Sequence, residues 1–293
     1  MEACMLCPRQ CHALRTDRIG EGFCGLPGIM RIGRIAPHLW EEPPISGTTG
    51  TGAVFFSGCT LRCVYCQNAE ISHGGAGRTY TPEQLAEALR RLTDTGVQSI
   101  SFITGTPWVP MILETLSIWR PPLPLVWNSS GYETVETLRK LEGVMDIYLP
   151  DFKHASRKMG QMCAAAPDYC EVACEAIREM VRQTGAPVCD GNGRMLRGTL
   201  IRHLILPGAT SESITILDWI AENMPEIPVS LMRQYMPCHK AGSIPGLNRR
   251  ITAREYRRVR DHMLALGLQG YEQEAGSAAD EFVPVFNQDS SFV

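Results

Sequence analysis

From Ala53 onward, apolar runs of strand length alternate with stretches whose hydrophobic residues recur every three to four positions. That alternation is the pattern of successive parallel βα units. Six strand-like runs stand out: AVFFS at 53–57, SISFI at 99–103, PLVW at 124–127, MDIYL at 145–149, GTLIRHLIL at 198–206 and PVSLMRQY at 228–235. The clearest helix opens with Thr81 as N-cap, Pro82 at the first helical position and Gln84 completing a capping box, with Leu85, Leu89 and Leu92 on one face. Further helices are predicted near 109–119, 132–142, 168–184, 211–223 and 252–266. Six units are too few for a closed eight-stranded barrel, so the α/β pattern leaves two architectures: a partial barrel if the sheet curls, a doubly wound sheet if it stays open. In both, loops at the C-terminal ends of the strands converge on one rim, and the chemistry is expected there.

Residues 1–50 break the pattern. They are rich in Gly, Pro, Arg and Cys with little sustained periodicity, and read as a small Cys-rich N-terminal appendage whose core must come from a metal or from docking onto the rest. Residues 51–270 then form the main domain, and 271–293 an acidic, Gly- and Ser-interrupted tail without regular structure.

With 44% hydrophobic and 20% charged residues over 293 positions, the chain has enough apolar material for a large core. A formal charge of −3 offers no basic excess for tracking phosphates, so nucleic acid is not the default partner. Arg249, Arg250, Arg254, Arg257, Arg258 and Arg260 make a local basic cluster, read as a solvated helix face. No apolar run is long enough to span a membrane, and the opening MEACMLCPRQC lacks the layout of a signal peptide, so a cytoplasmic location is expected.

Twelve cysteines are too few for a disulfide scaffold, and seven of them fall in the first quarter of the chain. In a reducing compartment such spacing reads as metal ligation. Directly after the first predicted strand comes Ser57-Gly58-Cys59-Thr60-Leu61-Arg62-Cys63-Val64-Tyr65-Cys66, a CxxxCxxC loop. Three thiolates on so short a loop can bind three irons of a 4Fe-4S cube and leave the fourth open as a Lewis-acid site. The amino and carboxylate groups of S-adenosylmethionine could chelate that iron, and one electron from the reduced cube would then break a carbon–sulfur bond to give a 5′-deoxyadenosyl radical. A zinc loop completed by a distant ligand, or a set of buried thiols, is the plainer alternative, disfavoured by the position of the loop after the first strand of a βα domain.

The loop and its setting resemble the radical S-adenosylmethionine superfamily, and the detail around them resembles the pyruvate formate-lyase activating enzyme group, in particular uncharacterised homologues with extra N-terminal cysteines. The resemblance implies a partial (β/α)6 barrel, with Cys59, Cys63 and Cys66 as cluster ligands and Tyr65 against the adenine. The family's GGEP turn corresponds to Thr104-Gly105-Thr106-Pro107, where the Gly and Pro persist and the glutamate does not. By the same carry-over Asn128 would reach the ribose, Asp151 and Lys153 would hold ribose hydroxyls and the methionyl carboxylate, Arg202 would bind that carboxylate, and His239 would contact the cofactor. His203 receives no role. The substrate implied is a glycine in a partner glycyl-radical protein acted on in trans, with flavodoxin or ferredoxin as electron donor. Modification of another peptide, an RNA or a small molecule is the alternative, and a non-catalytic iron–sulfur or metal carrier a third reading.

Cys4, Cys7, Cys11 and Cys24 supply four more thiolates, enough to close a zinc tetrahedron or a second iron–sulfur cube. Cys170 and Cys174, four apart on a predicted helix without partners, read as small core residues.

Overall fold

The computed structural model describes residues 3–16, 20–73 and 75–272. In chain order the first half contains β1 (Met30–His38), α1 (Pro43–Ser46), β2 (Thr51–Phe56), α2 (Ala69–Ser72), β3 (Arg78–Tyr80), α3 (Pro82–Asp94), β4 (Ile100–Ile103), α4 (Val109–Ile118), β5 (Leu125–Ser129) and α5 (Val135–Arg139). The second contains β6 (Ile147–Pro150), α6 (Arg157–Ala164), α7 (Tyr169–Thr184), β7 (Val188–Cys189), β8 (Met195–Thr199), β9 (Ile201–Leu204), α8 (Thr210–Asn223), β10 (Val229–Met232), α9 (Ala253–Ala265) and β11 (Gly270–Glu272).

β2, β4, β5 and β6 lie side by side in parallel, and β8 continues the series on β6. The run predicted as one strand at 198–206 breaks at Leu200, whose N–H donates to the Tyr148 carbonyl at 3.0 Å. Its first half pairs with β6 and its second, β9, pairs with β10. A strand that changes neighbours along its length is how a curling sheet continues round, and the result is a partial barrel in which β2, β4, β5, β6, the β8–β9 run and β10 follow one another in parallel, with the short β11 added parallel at the β10 edge. The predicted strands and helices are all present, α5 being shorter than expected, and Thr81 and Gln84 form the capping box at the start of α3.

Three features depart from the sequence reading. β1 runs antiparallel on β2, and β3 antiparallel on β1, so residues 30–38 belong to the sheet and not to the appendage. Its register shifts between Ile32 and Arg34, and this irregularity breaks the two-residue alternation that would have marked it. The eight-residue α6 was not expected, and Tyr271 with Glu272, placed in the irregular tail, pair with β10 as part of β11. The remainder of that tail, 273–293, lies outside the described residues.

Helices cover the outer face. Leu85, Leu89 and Leu92 of α3 share a core with Val54 and Phe102, while Ile177 of α7, Ile216 of α8 and Val259 of α9 pack with Ile201 and Val229. Each such fully buried aliphatic side chain is worth about 1.5–3 kcal/mol. Arg249 pairs with Glu255 and Arg260 with Asp261, as suits a solvated face at α9. Cys174 is buried and Cys170 packs beside it against the same core. Among the described residues no helix is long and apolar enough to cross a membrane.

Candidate active site

A cavity of about 920 Å³ opens at the C-terminal ends of the parallel strands, at the upper end of what small-molecule sites occupy. Cys59, Cys63 and Cys66 line it, together with Asn128 near the end of β5, Asp151 and Lys153 just past β6, and Arg202 within β9.

The cysteine loop is held by its surroundings. Gly58 turns it out of β2 with φ +81°, and a side chain there would collide with Leu26. The N–H groups of Arg62 and Val64 donate to the carbonyls of Ala164 and Cys163 at 3.0 and 2.9 Å, so the missed helix α6 is the platform beneath the loop. The Leu61 N–H already points at Cys59 Sγ (3.4 Å), and Cys66 Sγ lies 3.2 Å from Ser72 Oγ. Burial pushes the Cys59 thiol up to about 11 and the Cys63 thiol further. Thiols in such a place become thiolates only against a bound cationic centre.

The polar wall is a closed network. Arg202 Nε donates to Asp151 Oδ1 (2.8 Å) and Nη2 to Asn128 Oδ1 (2.6 Å), while Nη1 stands 3.4 Å from Glu41 Oε2. Asn128 Nδ2 donates to Glu41 Oε1 at 2.9 Å, and Lys153 Nζ to Asp151 Oδ2 at 2.5 Å. Burial works against the Asp151 carboxylate, but Arg202 and Lys153 outweigh it and hold it below the usual range. All three polar nitrogens of Arg202 are therefore engaged within the protein, a geometry that positions Asp151 and Asn128 more directly than it offers a free fork to an incoming carboxylate.

Glu41 and its neighbour Glu42 come from the turn between β1 and α1 and had no motif to reveal them. Burial raises both, opposed by Arg202, and Glu42 reaches about 7. Glu42 Oε2 is buried with no hydrogen-bond partner. His38, at the end of the same strand, is pushed down to about 4 by burial, then by Arg34 and Arg202, and stays neutral.

Tyr65 lines the cavity with its hydroxyl 3.2 Å from His154 Nε2 and its ring edge-on to Tyr235. Burial, then Lys153, keeps His154 neutral, with a pKa lowered to about 3. Gly105 and His239 stand outside the cavity wall. A side chain at Gly105 would strike the Trp127 indole, and it is the neighbouring Thr104, at φ +60°, that faces the cavity. His239 Nε2 instead lies 3.3 Å from His73 Nδ1. His203 is a satisfied core residue, bonded to the Phe152 carbonyl (2.6 Å) and Ser213 Oγ (2.8 Å). Beneath the Thr104–Pro107 turn, sequence reading also missed Glu133, a carboxylate 1% exposed that accepts from Thr106 Oγ1, Trp127 Nε1 and Ser129 Oγ. Only its burial is unusual, and burial of a single carboxylate leaves no trace in a sequence pattern.

The N-terminal cysteines gather outside this cavity: Cys4, Cys7, Cys11 and Cys24 line one small pocket with Arg9, Phe23, Thr60 and Pro107. Among the described residues no three His, Cys, Asp or Glu side chains are drawn into the close shell of a single bound ion, here or at the Cys59 loop.

Residues 53–220 match the family model of the radical SAM superfamily, more than half of the chain. An uncharacterised protein of Methanocaldococcus jannaschii is 31% identical over 265 residues, covering 86% of this chain and 71% of its own length. The chain belongs to the radical SAM superfamily, iron–sulfur enzymes that cleave S-adenosylmethionine reductively. Among solved structures, a radical SAM methyltransferase from Sphaerobacter thermophilus superposes with a TM-score of 0.52 at 13% identity, covering 78% of this chain and 69% of that one. SuiB of Streptococcus suis bound to its precursor peptide SuiA gives 0.50 at 13% identity over 75% of this chain, which spans 47% of that protein. At such identities the likeness is one of fold.

The residues present fit the two groups the family implies: three thiols and a set of buried hydrogen-bonding and charged groups line one roomy cavity. When bound, a 4Fe-4S cluster with an open iron supplies the one-electron chemistry that breaks the carbon–sulfur bond of the cofactor. Cys59, Cys63 and Cys66 are the residues that would hold the cluster, and Asn128, Asp151 and Lys153 those that would lie along the cofactor.

Proposed function

We propose that this chain binds a 4Fe-4S cluster at Cys59, Cys63 and Cys66, cleaves S-adenosylmethionine, and directs the resulting radical at a glycine in a separate polypeptide, as the activating enzymes it resembles do. The single observation that carries the cleavage is that the three thiols and the Asp151–Lys153–Arg202 network line the same cavity. A metal carrier has no need of that network. A polypeptide target is supported by the mouth, where Leu39 and Trp40 line the rim with 53% and 60% of their surface exposed and can seat apolar side chains flanking the reacting residue. The reductant proposed is flavodoxin or ferredoxin, and the setting the cytoplasm.

Anaerobic reconstitution with iron and sulfide, reduction, and quantitation of 5′-deoxyadenosine test the cleavage; none formed from a reconstituted cluster would leave the carrier reading. Co-incubation with a glycyl-radical protein, followed by electron paramagnetic resonance, tests the target. A backbone-glycyl doublet is expected. Deoxyadenosine without that doublet would move the assignment to another peptide, an RNA or a small molecule.

A further inference from the structure

We propose that Cys4, Cys7, Cys11 and Cys24 hold a second, four-thiolate metal centre, either zinc or an iron–sulfur cube, and that Arg9 is its counter-charge, fastening it to the outside of the loop that carries Cys59. The four thiols come from positions spread over the N-terminal segment, yet they line a single pocket, and all are free. The backbone closes them in: Cys4 N donates to the Ala13 carbonyl (3.0 Å), His12 N to that of Cys4 (3.2 Å) and Gln10 N to that of Cys7 (3.0 Å).

An independent sign is Arg9, in the same pocket wall. Its Nε donates to the Thr60 carbonyl at 2.9 Å, its guanidinium lies 3.9 Å from the Phe23 ring centroid, and its Nη2 is buried with no hydrogen-bond partner. A buried cationic donor without an acceptor is costly, more so than a neutral one. Four neutral thiols give it nothing. Four thiolates around Zn²⁺, or around a cube in its oxidised form with the same core charge, carry a net charge of −2, and their sulfurs accept N–H groups. One bound centre satisfies the guanidinium and the thiols together.

The segment also lacks another source of order. Between residues 3 and 29, Ala13 and Leu26 are the buried hydrophobic side chains among the described residues, while Met5 and Leu14 are exposed. So small an apolar core does not hold a chain of this length; a metal does. The same segment grips the active-site loop, since Arg62, between Cys59 and Cys63, donates to the Phe23 carbonyl and Leu26 fills the space left by Gly58. The second centre thus stiffens the outer wall of the first.

The test uses the full chain, purified without oxygen, with the Cys59→Ala/Cys63→Ala/Cys66→Ala triple variant, so that any metal left belongs to the N-terminal site whether or not the radical reading holds. Elemental analysis and acid-labile sulfide should find about one zinc, or about four irons with sulfide, per chain. Adding Cys7→Ser and Cys24→Ser should remove it. Arg9→Leu should retain the metal but release it to a chelator about tenfold faster, a fold-change matching the loss of one charge-assisted contact. Wild-type protein serves as a check independent of variant folding: Cys4, Cys7, Cys11 and Cys24 should resist alkylation until chelator is added. A triple variant with a wild-type circular dichroism spectrum and no metal, or wild-type N-terminal cysteines that are freely alkylated or disulfide-linked, would overturn the proposal.

Discussion

Asp151 and Arg202 are joined twice. A parallel β-bridge between them links the eight-stranded sheet to the three-stranded one, with Phe152 N donating to the Arg202 carbonyl at 2.8 Å, and their side chains form an ion pair at 2.8 Å above that bridge. The seam of the barrel and the polar wall of the cavity are the same place. A change in either side chain therefore acts on fold and site together.

Arg202→Ala should show this. Removing the guanidinium leaves the Asp151 and Glu41 carboxylates, both largely buried, without their shared cation. Breaking one partner of a buried pair costs about 3–5 kcal/mol, lessened here because Lys153 remains on Asp151. The melting temperature should fall, and cofactor affinity should drop by about tenfold to a hundredfold, the equivalent of one charge-assisted hydrogen bond. Arg202→Lys should recover part of the stability but not the bond to Asn128. Unchanged melting and affinity in Arg202→Ala would remove the seam from the account of the site.

Glu133 makes a different kind of prediction. Its carboxylate, raised by burial, accepts from three donors and meets no cation in the bonds that hold it. Glu133→Ala orphans Thr106, Trp127 and Ser129, each at about 1–3 kcal/mol. Glu133→Gln keeps one acceptor and sets an N–H₂ against a donor, so it should fall between. Because Thr106 belongs to the turn whose Thr104 faces the cavity, calorimetric titration of S-adenosylmethionine should show weaker binding in both variants, in the same order as their melting temperatures.

The parts legible in the sequence were those written in consecutive residues. Buried parallel strands read as unbroken apolar runs, and the three thiols sit within one loop. Asp151 and Lys153 were visible through a family resemblance alone, since a lone charged residue just past a strand end has no pattern of its own. Glu41 was not legible, because its partners Asn128 and Arg202 are 87 and 161 positions away. β1 hid behind its irregular register. His239 shows the reverse case: its motif position suggested the cofactor, but the backbone after β10 carries it past the cavity to His73.

Glu42 should give the protein a pH dependence of defined sign. Its folded-state pKa of about 7 lies above the ordinary carboxylate value because burial favours the neutral acid. The stability it contributes is then full below the unfolded value near 4.5 and lost as pH rises through about 7. Glu42→Gln stays neutral throughout. Urea unfolding should find the variant and wild type similar at pH about 5 and the variant more stable by up to about 3 kcal/mol at pH about 8. His38, neutral when folded but protonated below about 6.5 once unfolded, affects wild type and variant alike and cancels from the difference. A variant less stable than wild type at the higher pH would mean that the Glu42 carboxylate is ionised and held by Arg202.

Cys59, Cys63 and Cys66 should be required one by one, whereas Cys163, which lies directly under them, should not. Cys163 is fully buried, and its carbonyl takes the Val64 N–H, but that contact belongs to the backbone and its thiol is absent from the cavity wall. Single Cys→Ala changes at 59, 63 or 66 remove one of three ligands from a cube that has no fourth protein thiolate to fall back on, so each should lose the reduced-cluster paramagnetic signal and all 5′-deoxyadenosine. Cys163→Ala should keep both while losing about 1 kcal/mol of stability from the small void left in the core. The comparison separates ligation from packing, because all four positions border the same loop and platform. Retention of full cleavage activity in any of the first three, or loss of the signal in a folded Cys163→Ala protein, would reassign the ligands.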